Sequence, residues 1–390
     1  MTTRLKLPRL VAAALLLAGC GFAPQRPPAP EPPLTPHLRL IGVTEIATGT
    51  EYGGTVVGGL SGIAYSPERG DYLLISDDRG NDGPARVYTA RLAIDAHGIA
   101  PPEFTAVHHP RHASGEPFAP WWRPQSGTDR PDAEAARWLP GASSYLWSSE
   151  GDFPRGFGPQ LRINRLDGPF VRDIPLPAAF EPQQGERGPR GNGTLEGIAL
   201  SPDGRTAWVA MELPLKQDGE PATPQDAGAP VRFTAIDLAS GRALRQIAYP
   251  PERVPHTRRL PGPQINGVSD ILEDGAHHLL VLERAYSAGA GFDARLFRID
   301  TRTGSDTLAL DALAAGGFEP VPKTLIADLA GLGSTPDNIE GMSWAPRLAD
   351  GGCVLVFVSD NNFNPAQTTQ FIAARYLPPD ADSRCGDAAP

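Results

Sequence analysis

Five pairs of polar side chains recur along this 390-residue sequence at nearly constant spacing. Ser61 and Asp77, Glu134 and Glu150, and Glu196 and Glu212 each stand 16 residues apart; Asn266 and Glu283 are 17 apart, and Glu340 and Asp360 are 20 apart. Asp78 extends the first pair. Most of these groups are carboxylates, hard oxygen donors of the kind that hold Ca2+ or Mg2+. Like charges brought together persist only if they are paired, protonated or bridged by cations. Basic residues lie close by in sequence: Arg79 after Asp78, Lys216 shortly after Glu212, and Arg284 after Glu283. Asn192, Asn338, Asn361 and Asn362 add neutral oxygens. If the set converges, it could bind a metal ion together with a phosphate or another anion. The plainer reading is a set of ion pairs that lock structural elements together.

The stretches between paired residues resemble one another. LSGIAYSPERGDYLLISDD (60–78), LEGIALSPDGRTAWVAME (195–212) and IEGMSWAPRLADGGCVLVFVSDN (339–361) share a frame. Each has an apolar start with Gly, a Ser-Pro or Ala-Pro turn, an apolar strand and an acidic end. AEAARWLPGASSYLWSSEGD (133–152) and NGVSDILEDGAHHLLVLER (266–284) are weaker copies. Short runs rich in Val, Ile, Leu and aromatics between Gly, Pro and Asp are strand signals. Each copy therefore reads as a hairpin, and each interval between copies has room for four strands. In the first unit the strands are expected near 61–65, 72–76, 86–92 and 103–109. Five such units make an all-β propeller, whose radial repetition leaves few exposed edges. Residues 311–330 would make a sixth blade if they hide a degenerate copy, and a β-sandwich is the alternative architecture. The last unit is one strand short, and Leu38 to Ile46 could supply it, closing the ring by pairing the chain's two ends. The start of one hairpin strand and the end of the next lie at the same end of a sheet. All five polar pairs are thus expected on one face near the central axis.

Residues 1–19 read as an export signal: Arg4, Lys6 and Arg9 precede a short apolar run, and Leu17-Ala18-Gly19-Cys20 resembles a lipoprotein cleavage site. Cys20 would then carry the lipid, residues 20–36 form a Pro-rich spacer, and residues 37–390 form the folded domain. Gly21 after the Cys favours the outer membrane over the inner. The remaining cysteines, Cys353 and Cys385, fit a disulfide or two thiols equally well. The net charge is −10 and no run of Lys or Arg exceeds two, which argues against nucleic acid as a partner. The membrane is expected to be met only through the lipid, and the domain to be a monomer.

The segments LSGIAYSPERGDYLLISDDRG, NGTLEGIALSPDGRTAWVAMELPLKQDG, LLVLER, DNIEGMSW and VFVSDNNFNPAQTTQFIA resemble the esterase-like phytase family. The likeness spans about residues 40–377, and departs at Asp132-Ala133-Glu134-Ala135, where the usual Gly is lost. It implies a β-propeller and hydrolysis of phosphate esters or related esters. It carries over Asp77, Asp78, Arg79, Glu150, Glu196, Glu212, Glu283, Arg284, Glu340, Asp360 and Asn361 as site residues. Combined with the carboxylate pattern, the expectation is a metal-assisted phosphoester hydrolase. Asp77, Asp78, Glu150, Glu212, Glu283 and Asp360 would hold Ca2+ or Mg2+. Arg79, Lys216, Arg284 and Asn361 would bind a small anionic ester, and Glu196 or Glu340 would take a proton. A carboxylic esterase or lactonase on the same ring, or a propeller that binds a ligand without turning it over, are the alternatives.

Overall fold

Each of the five copies folds as the two inner strands of a four-stranded antiparallel sheet. The computed structural model describes residues 35–118, 120–122, 129–183 and 185–386. Cys20, the export signal and most of the spacer lie outside the described residues. Blade 1 runs outward through Leu60–Ser66, Asp71–Ser76, Val87–Arg91 and Glu103–His108, within one residue of the expected bounds. Blade 2 comprises Ala133–Trp138, Ser144–Ser149, Gln160–Arg165 and Phe170–Ile174; blade 3, Leu195–Leu200, Thr206–Met211, Val231–Asp237 and Ala243–Tyr249. Blade 4 comprises Gln264–Glu273, His278–Ser287, Gly291–Asp300 and Lys323–Asp328. Blade 5 comprises Asn338–Ala345, Cys353–Asp360, Thr369–Tyr376 and, outermost, Leu38–Ile46. The first strand pairs with the last from Leu38 opposite Tyr376 to Ile46 opposite Thr369, so the chain's two ends close the ring as expected. Residues 311–330 form no sixth blade; they hold a short 3-10 turn and the outer strand of blade 4.

Both faces of every blade are covered, which is why the strands read as nearly unbroken apolar runs. One core cluster fills each interface between neighbouring blades. Leu74, Tyr88 and Val356 lie between blades 1 and 5, for example, and Ile198, Val209 and Leu146 between blades 2 and 3. Burying each such side chain is worth about 1.5–3 kcal/mol, so the blade interfaces carry most of the fold's stability. The five innermost strands touch in a ring around the axis.

Every innermost strand bulges near its start: at Leu60/Gly62, Ala133/Ala136, Leu195/Ile198, Val268/Asp270 and Ile339/Gly341. A bulge re-aims the extra side chain. The residues it re-aims are Ser61, Glu134, Glu196, Ser269 and Glu340. Glycine next to the bulge lets neighbouring inner strands approach closely. A Cβ on Gly62 would stand 2.7 Å from the Glu134 carbonyl, and one on Gly341 2.7 Å from the Ser61 carbonyl. In blade 4 the equivalent residue is Asp270. Its carboxylate accepts two bonds from the Arg137 guanidinium at 2.7 and 2.8 Å, and others from the Met342 and Ile271 amides at 2.9 and 2.8 Å. This buried pair ties blades 2, 4 and 5 together at the axis.

Candidate functional site

The second strand of each blade delivers its next residue to the same mouth as the bulge. Opposite the bulged positions stand Ser76, Ser149, Met211, Glu283 and Ser359. The residues that follow them are Asp77, Glu150, Glu212, Arg284 and Asp360. With the bulge residues Glu134, Glu196 and Glu340 they floor a cavity of about 840 Å³ at one end of the axis, which Ser61 and Ser269 do not line. Of the expected site residues, Asp77, Asp78, Arg79, Glu150, Glu196, Glu212, Arg284, Glu340 and Asp360 all line it.

Three do not. Glu283 takes the place that Ser or Met holds in the other blades, so its side chain points to the opposite face of the strand. There it accepts bonds from Tyr249 Oη and Lys323 Nζ, both at 2.7 Å, from Asn266 Nδ2 at 2.7 Å and from the Glu252 amide at 2.9 Å. Glu283 and Asn266 are structural partners inside blade 4, and Arg284 occupies the ring position instead. Lys216 lies in a 3-10 turn away from the pocket, with Nζ 3.4 Å from the Gly185 carbonyl. Asn361 caps a loop: its Oδ1 accepts the amides of Gly59 and Phe363, each at 3.1 Å. Asp78 lines the pocket but is clamped. It accepts Arg86 at 2.6 Å and the amides of Asn81 and Asp82 at 2.7 and 3.1 Å.

The acids within the pocket fall into two kinds. Arg79 pairs with Asp132 and reaches Glu150 at 3.5 Å and Asn192 at 3.0 Å. Arg284 bridges Glu212 at 3.3 Å and Glu340 at 3.0 Å. Burial raises the pKa of Asp132, Glu212 and Glu340, and these guanidinium groups pull it back. The second kind gets weaker relief: Arg284 lowers Glu196 and Asp360 only through space, and Arg79 reaches Glu150 at 3.5 Å. Burial, then the charges of neighbouring acids, push Asp77, Glu134 and Glu196 well above the usual carboxylate range. Glu150 and Asp360 are pushed up by the same causes. Among the described residues no N–H group donates to Asp77, Glu134 or Glu196.

Carboxylate oxygens of Asp132, Glu134 and Glu150 lie within 4.8 Å of one another, as do those of Glu150, Glu196 and Glu212. The two triads share Glu150. Asn338 adds a neutral acceptor: its Nδ2 donates to Glu340 at 2.8 Å, which turns Oδ1 away, buried and without a partner. A hard oxygen set of this kind, its charges only partly offset by Arg79 and Arg284, fits a metal ion. Asp132, Asn192, Asn338 and Asn362 were legible as neighbours of the repeat. The pocket wall was not. Pro263, Ile265, Tyr286 and Phe292 from blade 4, and Phe363 and Ala366 from blade 5, rise above the acidic floor. Trp121 and Trp122, each about half exposed, stand beside the rim, where the Trp121 amide donates to the Gly80 carbonyl at 2.9 Å.

Fold and site together define a five-bladed propeller with an acidic central pocket under an apolar wall. The chain belongs to the phytase-like family, whose model, described as esterase-like activity of phytase, matches residues 55–363. No curated protein matches it. Among solved structures it is similar to hydrazine synthase of Kuenenia stuttgartiensis at 12% identity, over 89% of this chain and 82% of that one, with a TM-score of 0.35. It is also similar to a gluconolactonase from Xanthomonas campestris at 13% identity, over 87% and 95% of the two chains, with a TM-score of 0.33. Likenesses this distant say nothing about chemistry.

Proposed function

We propose that the protein hydrolyses small esters, phosphate esters among them, on the carboxylate floor of the central pocket with a bound divalent cation. The observation that carries this reading is Glu196. It is buried, its carboxylate takes no hydrogen bond among the described residues, and it lies within 4.8 Å of Glu150 and Glu212 at the cavity floor. Its surroundings raise its proton affinity, as a general base working near neutral pH requires. In the hydrolysis, water oxygen adds to the phosphorus or carbonyl carbon and Glu196 takes the water's proton. The bond to the alcohol oxygen then breaks, and Glu196 returns the proton to the departing alcohol. Glu340 is the weaker base candidate, because Arg284 and Asn338 already hold its carboxylate. Its part is to fix Arg284. Arg79, with 48% of its side chain exposed, is placed to face one anionic group of a substrate.

Asp132, Glu134 and Glu150 would hold the cation, and the hardness of their oxygens favours Ca2+ or Mg2+. When bound, the cation supplies Lewis acidity. The test is Glu196→Gln beside the parent protein, assayed with Ca2+, with Mg2+ and with chelator. Turnover should need the cation and fall at least ~100-fold in the variant, with the thermal midpoint unchanged or higher. Metal-independent turnover, or a variant as active as the parent, would overturn the assignment. Arg284 closes part of the ring with ion pairs, which favours the second reading, a ligand-binding propeller. Cation binding by calorimetry without turnover of any ester would support that one.

The same proposal places the domain outside the cytoplasm, anchored by lipid at Cys20 to the outer membrane. The Cys353–Cys385 disulfide supports an oxidising compartment. Palmitate labelling of the expressed chain, abolished in Cys20→Ser, is the check.

A further inference from the structure

The pocket that binds the substrate is charged in one sense at its floor and apolar on its wall. Ten carboxyl groups line it against two guanidinium groups. Both guanidinium groups are already engaged: Arg284 with Glu212 and Glu340, Arg79 with Asp132 and Glu150. No Lys or His is among the lining residues. Two dications, one in each carboxylate triad, would leave acids in excess. In a partly buried site such repulsion is only weakly screened by salt. A ligand with several phosphates would meet this field at every group, while one anionic group could sit at the cation and the open side of Arg79.

The wall has its own chemistry. Three strands of blade 4 run to ten residues, against five to seven in the four-stranded sheets of blades 1 to 3. The extra length carries a hairpin, turning between Ser287 and Gly291, past the ring. Tyr286 and Phe292 pair across it, ring centroids 4.7 Å apart. Both are half-buried, and both line the cavity together with Ile265. Phe363 lines the cavity from blade 5, held there by the Asn361 cap. Tyr286 and Phe292 pack on one another beyond the ring, while Phe363 also packs over Arg86 between blades 5 and 1. These side chains leave the acidic floor with an apolar wall, which suits a flat or greasy group beside the reacting centre.

We infer that the substrate is a monoester carrying an apolar or aromatic group and at most one anionic group, and that polyphosphates are excluded. This rests on the hydrolase reading given above. The experiment compares 4-nitrophenyl butyrate, 4-nitrophenyl phosphate and inositol hexakisphosphate, using the purified full-length chain in mild detergent with Ca2+ or Mg2+. One or both aryl esters should exceed the polyphosphate in kcat/KM by at least ~100-fold. Phe292→Ala should raise KM for the favoured aryl ester ~10-fold with kcat within ~2-fold, since the ring binds and does not react. Tyr286→Leu provides a second variant should the first fail to fold. Preference for inositol hexakisphosphate would overturn the inference and leave the hydrolase reading standing. If the folded protein cleaves no ester, the hydrolase reading falls, and binding decides the inference by calorimetry with butyranilide, the amide isostere of an aryl ester. Saturable binding of the anilide, weakened in Phe292→Ala, with none of the polyphosphate, would support it. Tighter binding of the polyphosphate, or binding of neither, would overturn it.

Discussion

Glu273 stands at the mouth opposite the acidic pocket, and burial pushes its carboxyl up to about 7. Arg137 pulls the other way but is already committed to Asp270. The folded state therefore holds this proton where the unfolded chain, with a carboxyl near the ordinary value, has released it. Between the two pKa values the native state binds more protons, so stability falls as pH rises. The contribution is fully present below about pH 4.5, is lost progressively up to about pH 7 and is constant beyond. Its size is of the order of 3 kcal/mol. Glu273→Gln should be close to neutral at pH 4.5 and stabilising at pH 8. Other buried acids add slopes of their own, so the readout is the difference between the two unfolding curves across pH. Parallel curves would show that Glu273 ionises freely in the folded protein.

The bulge is the element that makes the site. It lifts Glu134, Glu196 and Glu340 out of the alternating register and into the axis, while the neighbouring Gly lets the inner strands close the gap. Gly341→Ala tests this at a position whose backbone is otherwise ordinary. The added methyl meets the Ser61 carbonyl at 2.7 Å and the Gly62 backbone at 3.0 Å, so a neighbouring blade must give way. A loss of about 1–3 kcal/mol in denaturant unfolding is expected. An unchanged midpoint would mean that the inner ring has slack. The same element decides how much could be read from sequence. Where the Gly frame survives, as at Gly62, Gly197 and Gly341, strands, hairpins and ring acids follow from the repeat. In blade 4 the frame position is Asp270, and Asn266-Gly267, just upstream, imitates it. That false frame places Asn266 and Glu283 at the axis, while the real register gives the ring Ser269 and Arg284. One residue of slip exchanges the faces of a strand. The aromatic wall left no periodic trace, because Tyr286 and Phe292 owe their place to the length of a hairpin. Lys216 and Asn361 sit near ring residues in sequence, but a 3-10 turn and a loop cap carry them elsewhere.

A propeller ring is as strong as its closing blade, and blade 5 is closed twice. Leu38–Ile46 completes the sheet from the other end of the chain, and Leu38 begins at the mouth opposite the acidic pocket. At that same mouth Cys353, opposite Tyr376 on the third strand, is bonded to Cys385, with 5.7 Å between the Cα atoms. The disulfide holds the C-terminal segment against Trp344, where Gly386 lies close to the indole. The link spans 32 residues. In the loop-entropy account it removes about 3–4 kcal/mol of freedom from the unfolded chain. The bridged strand belongs to the closing blade, so the gain should appear in global unfolding. With an unfolding entropy scaled to a domain of this size, Cys353→Ser with Cys385→Ser should lower the thermal midpoint by about 5 °C. Treating the parent protein with reductant should do the same, and the cation binding proposed for the distant floor should be unaffected. If instead the midpoint holds and only the near-ultraviolet signal of Trp344 changes, the tail is a local clasp, and the N-terminal strand alone closes the ring.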